Sequence, residues 1–225
     1  MKKVIVITGV SSGVGKSAVE RFLKEGHIVI GLSRTPTFYQ SPNFIHIETD
    51  IKNVSSIEYA FKRIQNEFIF IDVLVNNAAI FKMKPFVEFS NEEIDDIIDT
   101  NLKGTIFCTL NALKCMKSGR IINISSVSGL HGIENQTVYS STKYALSGFA
   151  ESLNQELIKR NILISTIHPG GIDTPLWNIN NKYPGGSVHD LLDSNDVVDV
   201  IQYIINLPNN VVLKDITLFP KHEWH

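Results

Sequence analysis

Short apolar runs rich in Val and Ile alternate along the chain with longer segments of helical period. Val4-Ile5-Val6-Ile7 is the first run, and it lacks polar alternation, as in a strand buried on both faces. Similar runs at 27–32, 44–47, 73–75, 120–125, 163–167 and 216–218 predict further strands. Between the first two, Ala18, Val19, Phe22 and Leu23 fall on one helical face within 17–25, and Gly26 ends that helix. Residues 54–68, 90–116, 137–160 and 196–206 predict more helices. Ser90, with Glu92 and Glu93 after it, gives the second of these a cap and first-turn acids. Such alternation predicts one α/β domain over residues 1–225. It would be a doubly wound parallel sheet of about seven strands with helices on both faces. The least regular stretch, 175–194, contains Trp177 and Pro184-Gly185-Gly186 and is a candidate substrate lid.

Composition changes this picture little. Hydrophobic residues make up 43%, charged residues 20%, and the formal net charge is -2. That excludes the basic footprint of a typical nucleic-acid binder and the imbalance of a disordered chain. Cys108 and Cys115 are too few for a disulfide scaffold and suit core positions on a helix. No run reaches the ~18 apolar residues of a membrane span. Met1-Lys2-Lys3 precedes an apolar run but no small-residue cleavage site follows it. A cytoplasmic protein without nucleic-acid or membrane partners is expected. The histidines lack metal-ligand spacing, and His27, His46 and His168 lie in or beside predicted strands as packing or edge residues. No metal is expected.

The first strand runs into Thr8-Gly9-Val10-Ser11-Ser12-Gly13-Val14-Gly15. Glycines let the backbone turn sharply and approach a ligand. The helix that follows points its N–H groups and dipole at an anion. Together these suggest a nucleotide pyrophosphate site. Gly15-Lys16-Ser17 imitates the end of a P-loop, but that motif needs Gly where position 10 has Val, which makes an ATPase or GTPase a minor alternative.

Tyr139 and Lys143 stand one turn apart on a predicted helix. A free tyrosine titrates near ~10 and is a poor acid or base at neutral pH. A nearby ammonium favours the phenolate, which equips the pair to exchange a proton with an alcohol or carbonyl oxygen. Ser126 follows the fifth predicted strand, where open α/β sheets bind ligands.

In this order and spacing the motifs resemble the short-chain dehydrogenase/reductase family over essentially the whole chain. Thr8 to Gly15 matches TGxxxGxG, and Asn76-Asn77-Ala78-Ala79 matches NNAG with Ala79 in place of Gly. That methyl puts a φ > 0 backbone there in question. Asn101, in Asn101-Leu102-Lys103-Gly104, matches the family's helix asparagine. Ser126 matches its serine, Tyr139 and Lys143 its YxxxK, and Pro169-Gly170 with Thr174 its PGxxxT.

The resemblance implies a Rossmann-fold oxidoreductase that moves hydride between a nicotinamide cofactor and a small carbonyl or alcohol. By it, Tyr139 exchanges the proton, and Lys143 lowers the Tyr139 pKa and holds the nicotinamide ribose. Ser126 orients the substrate oxygen, and Asn101 interrupts its helix and holds a water leading to Lys143. It assigns Gly9, Ser11, Ser12, Gly13, Val14, Gly15, Asn77, Ala78, Pro169 and Gly170 to the cofactor cradle, Asp50 and Ile51 to the adenine, and Ile172 and Thr174 to the carboxamide. A homodimer or homotetramer built on the long helices ending near Met116 and Arg160 is implied as well.

Ser33 and Arg34 end the second strand, where an NAD site would carry an acid for the ribose 2′-OH. A guanidinium suits a 2′-phosphate, so NADP(H) is expected over NAD(H), which stays open. Phe81, Ser128, His131, Trp177 and Tyr183 are candidate substrate contacts. The second reading is a non-catalytic NADP-binding regulatory protein on the same fold. Retention of Asn101, Ser126, Tyr139 and Lys143 argues against it. The length of 225 residues suggests a short lid and an open pocket, and disfavours the epimerase chemistry of longer family members.

Overall fold

A computed structural model describes residues 2–68, 70–180, 183 and 190–223, so much of the expected lid over 175–194 lies outside the described residues. The strands are β1 (Val4–Thr8), β2 (Ile28–Ser33), β3 (Phe44–Glu48), β4 (Val73–Asn76), β5 (Gly119–Ile124), β6 (Ile162–Pro169) and β7 (Asp215–Leu218). They form one sheet in the order β3-β2-β1-β4-β5-β6-β7, parallel at every pairing. Strand order reverses direction at β1 and β4. In open parallel sheets that is where a crevice opens at the carboxyl ends of the strands.

The helices are α1 (Gly13–Lys24), α2 (Val54–Glu67), α3 (Asn91–Ile98), α4 (Thr105–Cys115), α5 (Thr137–Leu157), α6 (Pro175–Asn180) and α7 (Ser194–Asn206). Two hydrophobic clusters flank the sheet. On one face Ile57, Phe61 and Ile64 of α2 join Ala112 of α4 and Leu157 of α5. On the other, Val19 and Phe22 of α1 join Val197, Ile201 and Ile204 of α7. Val6 belongs to the first cluster while its neighbours Ile5 and Ile7 belong to the second. Burial on both faces is why the strands read as unbroken apolar runs. Cys108 and Cys115 are free thiols buried in the first cluster.

The helix expected over 90–116 forms with an interruption. Ser90 and Glu93 make a capping box at the start of α3. A π-helical segment, Asp99–Gly104, then separates α3 from α4 and contains Asn101. Such bulges insert a residue into the helical ladder and gather at functional sites. One element was hidden in the expected loop. Pro175 opens α6, the position where its fixed φ and missing N–H suit a helix start.

Candidate active site

β1 leads into a turn whose backbone is left-handed at Gly9 (φ +73) and Gly13 (φ +52). A Cβ on Gly9 would stand 2.8 Å from the Ala78 Cα, and one on Gly13 would stand 3.1 Å from the Thr174 methyl. Both conformation and proximity therefore demand glycine. Gly15 serves packing instead, since its Cβ would lie 2.2 Å from the Gly9 carbonyl oxygen. The Thr8 hydroxyl accepts hydrogen bonds from the N–H groups of Asn77 and Ala78, each at 3.0 Å. The Asn77 amide donates to the carbonyls of Thr8 at 2.9 Å and Gly9 at 3.1 Å. The glycine turn is thus bolted to the end of β4. α1 has no acid in its first turn, and Ser12 makes no side-chain cap. Its leading N–H groups are left for an anion.

A cleft of about 440 Å³ opens over this turn. Its walls include Gly9, Ser11, Ser12, Gly13, Val14, Ser33, Arg34, Asp50, Ile51, Asn77, Ala78, Phe81, Tyr139, Lys143, Ile172 and Thr174. Residues far apart in sequence are brought together as the motifs suggested. Thr35, Thr49, Ile80, Thr100, Ser125, Pro175 and Leu176 also line it and were not singled out from sequence. Only their adjacency to motif residues could have flagged most of them. Gly15, Pro169 and Gly170 are off the wall. Pro169 pairs with Leu218 at the end of β6, and the Gly170 N–H donates to the Leu218 carbonyl at 2.7 Å. Ala79 lines the cleft without a positive φ, so the added methyl is accommodated.

Near the end of β2, Arg34 is exposed on the rim. The Ser33 hydroxyl donates to the Thr35 carbonyl at 2.8 Å and lies 3.0 Å from His46 Nε2. Burial holds the His46 imidazole below its usual range. Asp50 accepts from the Lys52 N–H at 3.1 Å, whereas Asn53 caps α2.

α5 carries Tyr139 and Lys143, both buried. Ser126 follows β5 and caps the short 3-10 turn Val127–Gly129, accepting from the Ser128 N–H at 3.1 Å. Its hydroxyl donates to the Ser128 hydroxyl at 3.2 Å and acts on the nearby Tyr139 phenol, favouring its ionised form. Lys143 Nζ donates to the Ile124 carbonyl at 2.9 Å and stands 5.4 Å from the Tyr139 ring centre. Burial pushes the Tyr139 phenol up to about 12, with Ser126 pulling the other way. Burial likewise pushes Lys143 down to about 7. The expected lowering of the Tyr139 pKa by Lys143 is therefore not seen in the protein alone. Desolvation disfavours both charged forms, and a lysine that sheds its proton near neutrality exerts little pull on the phenol.

Asn101 holds a peptide of the loop after β4. Its Oδ1 accepts from the Ile80 N–H at 2.8 Å, and its Nδ2 donates to the Ile80 carbonyl at 2.9 Å. The helix interruption expected at Asn101 is present.

Three candidate substrate aromatics form a stack that begins at Tyr139. The Phe81 ring centre lies 4.8 Å from that of Tyr139, Trp177 lies 5.1 Å from Phe81, and Tyr183 lies 5.1 Å from Trp177, all edge to face. The Tyr183 hydroxyl donates to Glu223 Oε1 at 2.6 Å, and Glu223 Oε2 accepts from the Gly171 N–H at 2.8 Å. Glu223 had no motif to announce it. Trp177 and two further substrate candidates, Ser128 and His131, are off the cleft wall. Ser128 is buried off the cleft wall, with its hydroxyl donating to Gln136 Oε1 at 2.7 Å. His131 is exposed and also off the wall. Among the described residues no cluster of His, Cys, Asp and Glu could hold a metal ion, and no helix is long and apolar enough to cross a membrane.

The model of the short chain dehydrogenase family matches residues 3–184. An uncharacterized oxidoreductase of Staphylococcus aureus (strain MW2) is 29% identical over 228 residues, which cover 97% of each chain. Among solved structures, ElxO with NADP bound is 28% identical with a TM-score of 0.87, covering 98% of each chain. The serine dehydrogenase of Escherichia coli is 26% identical with a TM-score of 0.87, covering 99% of this chain and 100% of its own. A match across most of the chain, on a seven-stranded parallel sheet with the cleft at its switch point, means that this protein belongs to the short chain dehydrogenase family of oxidoreductases.

Proposed function

We propose that the protein uses NADP(H) to reduce a small carbonyl compound to an alcohol, or runs the reverse reaction, with Tyr139 exchanging the proton. One observation carries this reading: Tyr139 and Lys143 share a single cleft with the glycine turn and Arg34.

The residues present fit a dinucleotide. Gly9 and Gly13 leave a cradle that Cβ atoms would fill, and the α1 N-terminus keeps its donors free. Arg34 offers a permanent charge and a planar fork to a 2′-phosphate. ElxO, similar in fold, was solved with NADP, which supports the same cofactor here. When bound, the nicotinamide supplies hydride to the carbonyl carbon or accepts it from the alcohol.

Tyr139 holds its proton up to about pH 12 and is thus in the acid form that carbonyl reduction needs. Alcohol oxidation needs the phenolate, so that direction gains as pH rises. Ser126 holds the substrate oxygen beside the phenol. Lys143 donates from the cleft wall to the ribose. Asn101 fixes the Ile80 backbone beside Phe81, and so shapes the substrate side. Leu110 on α4 and Tyr144 on α5 are exposed apolar residues in keeping with a homo-oligomer. The two free, buried cysteines are in keeping with a cytoplasmic, reducing compartment.

The test is NADPH oxidation against a panel of aldehydes and ketones, with Tyr139→Phe alongside. Tyr139→Phe should lose about a hundredfold or more in kcat with NADPH affinity unchanged. A variant as active as the wild type refutes the role of Tyr139. Cofactor binding without turnover of any carbonyl or alcohol would favour an NADP-binding regulatory protein.

A further inference from the structure

His168 is the fully buried histidine of β6, with 0% of its surface exposed. It is not on the cleft wall, yet it touches the active site from behind. Its Nδ1 lies 3.3 Å from the Ser126 carbonyl oxygen, and its Nε2 lies 3.1 Å from Asp215 Oδ1. The sheet register explains the meeting. Asp215 pairs with Thr166 and Thr217 pairs with His168, so the Asp215 and His168 side chains share one face of the sheet. Ser126 lies just past the end of neighbouring β5.

The two oxygens constrain the imidazole. A peptide carbonyl can only accept, so Nδ1 must carry a hydrogen. Asp215 is 43% exposed, and Lys214 stands 4.0 Å from its other oxygen. The ring is thus held between the Ser126 carbonyl on its Nδ1 side and the Asp215 carboxylate on its Nε2 side.

The Ser126 carbonyl is a useful place to hold. It also accepts from the Gly129 N–H at 2.9 Å, and the Ser126 hydroxyl accepts from the Ser128 N–H at 3.1 Å. Together these bonds set the rotation of the Ser126 peptide and hence the place of its hydroxyl, which donates to the Ser128 hydroxyl at 3.2 Å and acts on the Tyr139 phenol.

We infer that His168, anchored by Asp215, is a positioning residue that holds the Ser126 peptide in the orientation from which its hydroxyl meets Tyr139. The kinetic consequence rests on the proposed carbonyl reduction; the hydrogen-bond assignment does not. His168→Leu removes the donor to Ser126, whereas His168→Asn keeps an amide N–H near the place of Nδ1. His168→Leu should lower kcat about tenfold or more, since small misplacements of reacting groups are costly. NADPH affinity should stay within about twofold, and His168→Asn should recover most of kcat. A folded His168→Leu that turns over like the wild type overturns the inference, as does His168→Asn failing equally. Should His168→Leu not fold, nitrogen–proton correlation spectra decide. The wild type should show a protected Nδ1–H at His168, facing the Ser126 carbonyl. A bare Nδ1 in the wild type overturns the assignment. A wild type with that N–H but no turnover would instead count against the proposed reduction.

Discussion

Lys143→Met offers a test that separates burial from chemistry. Lys143 is 2% exposed, and burial lowers its pKa from 10.5 to about 7. At ~1.4 kcal/mol per tenfold change, keeping the ammonium inside the fold costs about 5 kcal/mol below pH 7. Methionine has a similar length and no charge. The variant leaves the Ile124 carbonyl without its donor, which costs ~1–3 kcal/mol. At about pH 6 Lys143→Met should therefore be more stable than the wild type by roughly 2–4 kcal/mol. The sign with pH follows from proton counting. Between about pH 7 and about pH 10 the unfolded chain binds a proton at Lys143 that the folded chain does not, so wild-type stability rises with pH across that window. The variant lacks this slope, and its advantage should vanish or reverse by about pH 10. Urea denaturation of both proteins at the two pH values gives the comparison, and turnover should be lost in the variant throughout. A variant less stable at about pH 6, or a stability gap that ignores pH, would refute the reasoning.

Arg34→Asp should weaken NADPH binding about tenfold to a hundredfold by fluorescence titration while leaving NADH nearly unaffected. Equal loss for both cofactors would show that Arg34 does not meet the 2′-phosphate. Gly9→Ala should cost about 1–3 kcal/mol of stability and raise the NADPH Kd, because the backbone is left-handed there and the Ala78 Cα stands 2.8 Å from the new carbon. A thermal midpoint and Kd equal to the wild type's would contradict that account.

The sheet could be read from sequence because each strand is buried on both faces, so the Val and Ile runs mark it without help from tertiary partners. The cleft walls were legible for a related reason. Gly9, Asn77, Tyr139 and Thr174 sit at strand ends or helix starts, where the topology itself directs them to the switch point. α6 was not legible, because Pro175 serves a helix start and a loop equally well. The direction of the Ser128 hydroxyl was not legible, because it depends on Gln136, whose accepting amide oxygen is set by folding rather than by spacing. The behaviour of Lys143 was missed for a similar reason. The four-residue spacing to Tyr139 fixes proximity, while the depth of burial decides the charge. His168 and Asp215 meet across two strands, 47 positions apart, and no local pattern joins them.

Asn101 has a mechanical meaning beyond its place in a motif. By giving and accepting a hydrogen bond at the Ile80 peptide, its side chain imitates a neighbouring strand for a stretch of chain that has run past the end of β4. The sheet is extended by one rung made of a helix residue. Phe81, next along, therefore takes its position from the π-helical segment rather than from β4, and it rests edge-on against Tyr139. An aspartate at this position would keep the shape and the acceptor but present an oxygen to the Ile80 carbonyl. The helix interruption, the substrate wall and the proton-exchanging phenol thus behave as one linked part.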